Sequence, residues 1–232
     1  GIIAVGEPVE GCQDYEAFLA AGSPDFAPLP IRLDNVALLV YTSGTTGKAK
    51  GAMLTHRNVL SNVHSLIPLF GINENDVLVS FLPLCHMFER TGGYYCVLMA
   101  GGAIAYAESV QTIREDVALA RPTVMIVVPR VLEKVYGAVQ DKVLAGPVLG
   151  RLLMISTLRT YSRYARLKAG SQPIPLWLRS KRWLLGKLVV NKLTRLGGGR
   201  LRLLVSASAP LDRRLARVIR NLGFNLLEGY GL

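Results

Sequence analysis

Residues 41–51 read Tyr-Thr-Ser-Gly-Thr-Thr-Gly-Lys-Ala-Lys-Gly, with four short-chain hydroxyls, three glycines and two lysines in one run. These types suit a polyphosphate. Glycine carries no Cβ, so successive backbone N–H groups can turn toward one anion. Thr42, Ser43, Thr45 and Thr46 add hydroxyl donors, and Lys48 and Lys50 add positive charge around Gly44 and Gly47. The competing reading is a flexible surface loop, the common fate of an arbitrary Gly/Ser/Thr cluster. A Walker A loop is excluded: G-x-x-x-x-G-K-[ST] counted from Gly44 meets Ala49, and neither lysine precedes Ser or Thr.

Other candidate chemistry lies further along. His86 sits in Pro83-Leu-Cys-His-Met-Phe-Glu-Arg90, directly after an apolar run over 76–82 that predicts a strand. Pro83 ends that strand, so His86 falls at its carboxyl end, where open α/β sheets hold ligands. A lone histidine more often serves structure, and His56 and His64 are read as polar surface or capping groups. Ser206-Ala-Ser-Ala-Pro210 follows a predicted strand over 201–205, and Glu228-Gly-Tyr-Gly231 follows one over 224–227. Two small-residue turns at strand ends leave room for a flat ring between them. Gly197-Gly-Gly199 precedes a strand and lacks the G-x-G-x-x-G spacing, so it is no dinucleotide fingerprint.

The elements that must hold these residues alternate. A buried strand is predicted over 36–40, with further strands over 103–107 and 123–128. Helices are predicted over 56–70 with Thr55 as N-cap, and from 91 onward before the 103–107 strand. Another runs over 112–120 behind a Thr112/Glu115 capping box, one from Pro129 on, and one from an Asp212 cap to Gly223. This alternation predicts an α/β fold with a mostly parallel sheet flanked by helices. Residues 1–35 read as an edge piece with a short strand at 2–5 and a short helix at 14–21.

The chain has 232 residues, half of them hydrophobic and 19% charged, enough for one substantial core. Cys12, Cys85 and Cys96 are odd in number and have no C-x-x-C spacing, which predicts a reducing compartment. The start shows no signal-peptide pattern. The charge-free run over 91–107 is shorter than the roughly 20 residues a bilayer span needs. A cytoplasmic location is expected, peripheral at a membrane on one reading of the charge. Net charge is +11, and residues 142–211 hold fourteen Lys/Arg with no Asp/Glu, leaving the remainder acidic on balance. Leucines at helical spacing among these cations, on either side of Gln172-Pro-Ile-Pro175, predict two basic amphipathic helices within 142–200. That segment is open to three readings: a solvated helical face, contact with an anionic lipid surface, or contact with nucleic acid. The last lacks any accompanying fold signature.

Residues 41–51 resemble the YTSGTTGxPKG phosphate loop of the adenylate-forming superfamily of acyl-CoA synthetases, luciferases and peptide-synthetase adenylation domains. Ala49 stands where proline is usual. L-P-L-x-H-x-F-E-R over 82–90 and P-R-V-x-E-K-V-Y over 129–136 resemble the long-chain acyl-CoA synthetases within it. The resemblance implies a ligase that activates a fatty acid with ATP to acyl-AMP and pyrophosphate, then forms acyl-CoA from coenzyme A, with Mg²⁺ as cofactor.

It also implies roles for particular residues. Thr42, Ser43, Gly44, Thr45, Thr46, Gly47, Lys48 and Lys50 would hold the β/γ-phosphates, with the Thr45 hydroxyl touching the metal. Thr45, Lys50 and His86 would be catalytic, His86 lying beside the acyl carboxylate. Ser206, Ala207, Ser208, Ala209 and Pro210 match the adenine-site turn, with serines where the family is richer in glycine. Glu228, Gly229, Tyr230 and Gly231 match the second turn, with Tyr230 stacking on adenine. Gly92 and Gly93 would line the acyl tunnel, and Arg90 stands where some relatives carry an aromatic gate. The resemblance makes residues 1–232 an incomplete N-terminal AMP-binding domain with 142–200 as a basic helical insertion. A Thr-Glu pair whose Glu helps hold Mg²⁺ and a small C-terminal domain with a catalytic lysine would be absent from it. The chain by itself is then expected to be inactive. Two other functions remain open: a ligase adenylating an aryl or other carboxylic acid, and a non-enzymatic lipid-binding module.

Overall fold

The structure is a computed structural model that describes every residue except 1, 2, 6, 8, 24, 26, 43–49, 110 and 230–232. Its first elements are short. β1 (Ile3–Ala4) pairs in parallel with β2 (Gln13–Asp14), and α1 (Tyr15–Ala20) follows at once. Asp14 caps that helix by accepting the Ala17 N–H at 2.8 Å.

β3 (Val36–Thr42) and β4 (Lys50–Thr55) form an antiparallel ribbon, with Tyr41 opposite Gly51 and Thr42 opposite Lys50. Two expectations change here. The strand after the hydroxyl-rich loop extends over 50–55, where the sequence pattern predicts no element. β3 is also not buried: Val36, Leu39 and Tyr41 are exposed. The physical reason is that β3 pairs only with β4, and among the described residues no layer covers the ribbon's outer face. The Tyr41 ring instead covers Gly51 across the ribbon, 3.4 Å from where a Cβ would stand. Thr55 then turns the chain into α2 (His56–Phe70). Its hydroxyl accepts the Asn58 N–H at 3.2 Å, while Asn58 Oδ1 accepts the Thr55 N–H at 3.0 Å.

The main sheet has five parallel strands in the order β6-β5-β7-β8-β9. They are β5 (Val77–Ser80), β6 (Ala103–Tyr106), β7 (Val124–Val127), β8 (Leu203–Ser206) and β9 (Leu226–Glu228). Between β5 and β6 run a π-helical turn (Glu89–Tyr95) and α3 (Cys96–Met99). α4 (Ile113–Ala120) leads into β7, and α9 (Arg213–Asn221) into β9. From β7 to β8 the chain passes through α5 (Pro129–Ala145), α6 (Val148–Ala169), α7 (Leu176–Leu185), a π-helical turn (Gly186–Val190) and α8 (Asn191–Leu196).

Alternate strand residues face opposite layers. Leu78, Val124, Ile126 and Val205 pack with Val63 and Phe70 of α2 and with Cys96 and Val97 of α3. Val79, Met125, Val127 and Leu204 pack with Val117 of α4 and Leu215 and Ala216 of α9. The doubly covered parallel sheet is the architecture the strand–helix alternation predicts. The capping box at Thr112 does not form. Thr112 itself has helical dihedrals (φ −90°, ψ −2°), and its hydroxyl accepts the Ser109 N–H at 3.0 Å and donates to Asp116 at 2.9 Å.

The amino edge of the sheet is clamped by charge. Asp76, buried just before β5, accepts from Arg202 Nε at 2.8 Å and Thr123 Oγ1 at 2.6 Å, and from Arg202 Nη2 and the Asn73 N–H. Arg202 Nη2 also donates to the Gly71 carbonyl at 2.8 Å. Residues preceding three strands are thereby joined to the end of α2. The Gly197–Gly199 run serves this edge too. Gly198 has φ +78°, and a Cβ there would stand 2.7 Å from the Arg121 Cα, so only glycine lets the two backbones pass.

Candidate nucleotide site at the carboxyl edge of the sheet

The opposite edge gathers the small-residue turns. β8 ends at Ser206 and β9 at Glu228, which are register partners. The Gly229 N–H donates to the Ser206 carbonyl at 2.8 Å, and the Ala207 N–H to the Val127 carbonyl at 3.3 Å. The first residues after β8 and β9, Ala207 and Gly229, therefore lie side by side. A Cβ on Gly229 would come within 3.3 Å of the Ala207 Cβ and 3.6 Å of the Phe88 ring. The 206–210 turn also keeps the backbone shape that glycine would favour: Ser208 has φ +72°. Ser206 Oγ is buried without a hydrogen-bond partner among the described residues. A buried hydroxyl left without a partner is a donor that a polar ligand at this edge would satisfy. Glu228 is not free, since Arg220 Nη2 reaches its carboxylate at 2.9 Å. A shallow cleft of about 600 Å³ beside it is lined by Pro210, Arg213, Arg217 and Arg220.

His86 is exposed on the loop after β5. That loop is braced from within: Arg90 Nε donates to the Leu84 carbonyl at 2.6 Å, and the His86 N–H to the Pro83 carbonyl at 3.0 Å. Arg90 thus acts on its own loop. Two residues past His86, Phe88 packs toward Gly229 and joins this loop to the turns. Gly92 and Gly93 are buried against the sheet. Added Cβ atoms would meet Ile126 at 3.3 Å and Leu78 at 3.2 Å, so in this structure the missing side chains allow close packing of the π-helical turn.

Sequence reasoning missed Glu89, which is 1% exposed and whose Oε1 accepts from Ser80 Oγ at 2.6 Å. Its other oxygen is buried without a partner among the described residues. Burial pushes its carboxyl up to about 7, against the opposing hydrogen bond from Ser80. The signal available in sequence was a carboxylate one residue after Phe88 and just before a run free of charge from Thr91 on.

Lys50 opens β4 opposite Thr42. Ser43, Gly44, Thr45, Thr46, Gly47 and Lys48, with Tyr230 and Gly231, lie outside the described residues. Among the described residues no group of three His, Cys, Asp or Glu side chains is placed to hold a metal ion. Thr45, whose hydroxyl the resemblance assigns to Mg²⁺, lies outside the described residues.

Known proteins share this arrangement. The model of the AMP-binding enzyme family matches residues 4–232. Mouse long-chain-fatty-acid–CoA ligase 5 is 34% identical over 210 residues, covering 88% of this chain and 29% of the mouse protein. Arabidopsis thaliana long chain acyl-CoA synthetase 5 is 30% identical, covering 94% of this chain and 33% of its own length. The crystal structure of ATP-bound MatB from Rhodopseudomonas palustris superposes with a TM-score of 0.60 at 25% identity, covering 94% of this chain and 33% of MatB. The chain spans about a third of the length of the curated relatives it matches. With the family model matched along nearly its whole length and the five-stranded parallel sheet in place, this chain belongs to the AMP-binding enzyme family.

Proposed function

We propose that the chain is the ATP-gripping part, within a large N-terminal domain, of a long-chain-fatty-acid–CoA ligase that forms AMP. The observation that carries this reading is the contact at the sheet's carboxyl edge, where Gly229 donates to the Ser206 carbonyl at 2.8 Å beside Phe88 of the His86 loop. The relatives named as long-chain acyl-CoA ligases, aligned over 88–94% of the chain, support the fatty acid as substrate.

In this reading the fatty carboxylate oxygen attacks the α-phosphorus of ATP, the α–β bridging bond breaks, and pyrophosphate leaves with its electron pair. The coenzyme A thiol then attacks the acyl carbon, losing its proton as AMP departs. The barrier in the first step is repulsion between a carboxylate and a polyanion, and fixed donors around the departing phosphates offset it. Ser43, Thr45, Thr46, Lys48 and Lys50, with Gly44 and Gly47, are assigned to the β/γ-phosphates. Thr45 is the candidate metal contact, and His86 lies toward the acyl carboxylate. Residues 206–210 and 228–231 are assigned to adenine, and Gly92 and Gly93 to the acyl side. No general base is needed in the first step, because a carboxylate is already ionised near neutral pH. Fatty acid, ATP and coenzyme A are the partners, and a peripheral membrane contact through 142–200 would bring the chain to where its acid partitions.

The test is ATP–pyrophosphate exchange in the longer protein. Thr45→Ala and Lys50→Ala are each expected to slow exchange roughly ten- to a thousandfold. Unchanged rates would remove the loop from the mechanism. The 232-residue chain alone is expected to exchange none, since its relatives are about three times as long. In a carboxylate panel, a hexadecanoate that is ignored while aryl acids react would replace the fatty acid with an aryl substrate.

A further inference from the structure

Both tryptophans of the chain lie on α7, and both are exposed. Trp177 and Trp183 share the outer face of α7 and its π-helical continuation with Leu176, Leu184 and Leu188, each 45–78% exposed. Leu178 and Leu185 are buried on the inner face. So the helix has satisfied its own packing and still presents a second apolar stripe to water. Single exposed apolar residues need no explanation, but five on one face do.

The stripe is set in positive charge. Lys187 Nζ sits 4.0 Å from the Trp183 ring centroid, and the Arg163 guanidinium of α6 lies 5.2 Å from that of Trp177. Lys181 is exposed on the same helix, and no acidic residue occurs from 142 through 211 to attract a basic partner. A nucleic acid would satisfy the cations and leave the leucines in water. A second copy would satisfy the leucines and bring like charge against like. An anionic bilayer interface offers phosphates at headgroup depth and an apolar medium just beneath, with indole rings suited to the boundary.

We propose that the outer face of α7 is a docking surface for anionic phospholipid bilayers. The helix lies flat in the headgroup layer, with Trp177 and Trp183 at the acyl boundary and Lys181 and Lys187 on lipid phosphates. This surface rests on the reading of 142–200 as membrane-facing and does not depend on the phosphate loop.

The chain reports on this face directly, because its whole tryptophan emission comes from α7. With phosphatidylcholine vesicles containing about a third phosphatidylglycerol, the emission shifts to the blue and is quenched by brominated acyl chains. Phosphatidylcholine alone gives neither, and added salt weakens the effect. The Lys181→Gln/Lys187→Gln double variant lowers vesicle partitioning roughly thirtyfold. Leu184→Ser/Leu188→Ser also lowers it while leaving its salt dependence intact. Circular dichroism of both variants unchanged from the parent keeps folding out of the comparison. Emission unmoved by vesicles, or moved equally by neutral ones, overturns the proposal. So does binding of a duplex oligonucleotide at salt where vesicles do not bind. Emission already blue-shifted and shielded from acrylamide without vesicles means another protein surface covers the face, and overturns it too. ATP–pyrophosphate exchange by the longer protein in the absence of vesicles is unaffected by the lysine variants, which separates this surface from the ligase reading.

Discussion

Glu89 is the side chain most at odds with its surroundings. It opens the π-helical turn, with one oxygen on Ser80 and the other unpartnered among the described residues, and its carboxyl is pushed up to about 7 by burial. The linkage follows from that direction. Below the ordinary value of 4.5 the group is protonated folded or unfolded, and its burial carries no charge penalty. As pH rises from there through about 7 the unfolded chain ionises first, and stability falls by roughly 3 kcal/mol before levelling off. Glu89→Gln keeps an acceptor for Ser80 and removes the titration. Urea unfolding at pH 5 and pH 8 checks this: the parent loses stability across the interval, and the variant is flatter and the more stable of the two at pH 8. Equal slopes would show that water reaches the carboxyl. Residue type points to His86, three positions earlier, because exposure and burial are not written in a single residue. The spacing of serines at 206 and 208 was legible, whereas the left-handed backbone at Ser208 was not, since its sequence carries no glycine there.

Among the elements, the parallel strands are legible because each centres on a short apolar run, such as 77–79, 124–127 and 203–205. β4 is not, since Lys50-Gly-Ala52 has neither alternation nor β-branching, and its partner β3 supplies the pairing. The amino-edge clamp was also hidden, because Asp76 and Arg202 are 126 positions apart and meet only when β5 and β8 flank β7. Burial pushes the Asp76 carboxyl up, but hydrogen bonds from Arg202, Thr123 and the Asn73 N–H outweigh it and hold the carboxyl below its ordinary value. Its contribution is therefore present above about 3.8 and is lost as pH falls through the lower folded value. The two partners are unequal. Arg202 is partly in water and can be left alone cheaply, while Asp76 is buried. Arg202→Met, which strands a buried carboxylate, is expected to cost about 3 kcal/mol, and Asp76→Asn about 2 kcal/mol. The double variant should cost less than the sum, and the Arg202→Met deficit should shrink at pH 3. Additive costs at neutral pH would mean that the pair is not coupled.

Taken as a whole, the molecule separates its jobs across one sheet: charge clamps the amino edge, turns gather at the carboxyl edge, and the basic helices stand off to one side. Those helices have a small core of their own in Tyr161, Leu185 and Val190, with Arg182 stacked 4.4 Å from the Tyr164 ring centroid. They meet α9 through Asn221, which donates to Ser162 Oγ at 3.1 Å. No described helix is long and apolar enough to cross a membrane. This layout predicts an order of opening. β7 and β8 are buried at every position, and β5 nearly so, between two helical layers. Exchange of their amides requires separating both layers at once, so they should be the last to take up deuterium. α6, α7 and the π-helical turn after them share a small apolar cluster of Tyr161, Leu185 and Val190, separate from the two clusters on the sheet, so they can open together while the sheet stays closed. The β3–β4 ribbon, bonded to no third strand among the described residues, should exchange first among the strands longer than two residues. Hydrogen exchange followed by peptide mass analysis resolves these three groups. If the α6–α7 peptides exchange at the rate of β7, the helices belong to one cooperative unit with the sheet, and a bilayer bound to α7 would then protect β7 as strongly as the helices themselves. If they exchange sooner, vesicles should slow exchange in α7 while leaving β7 unchanged.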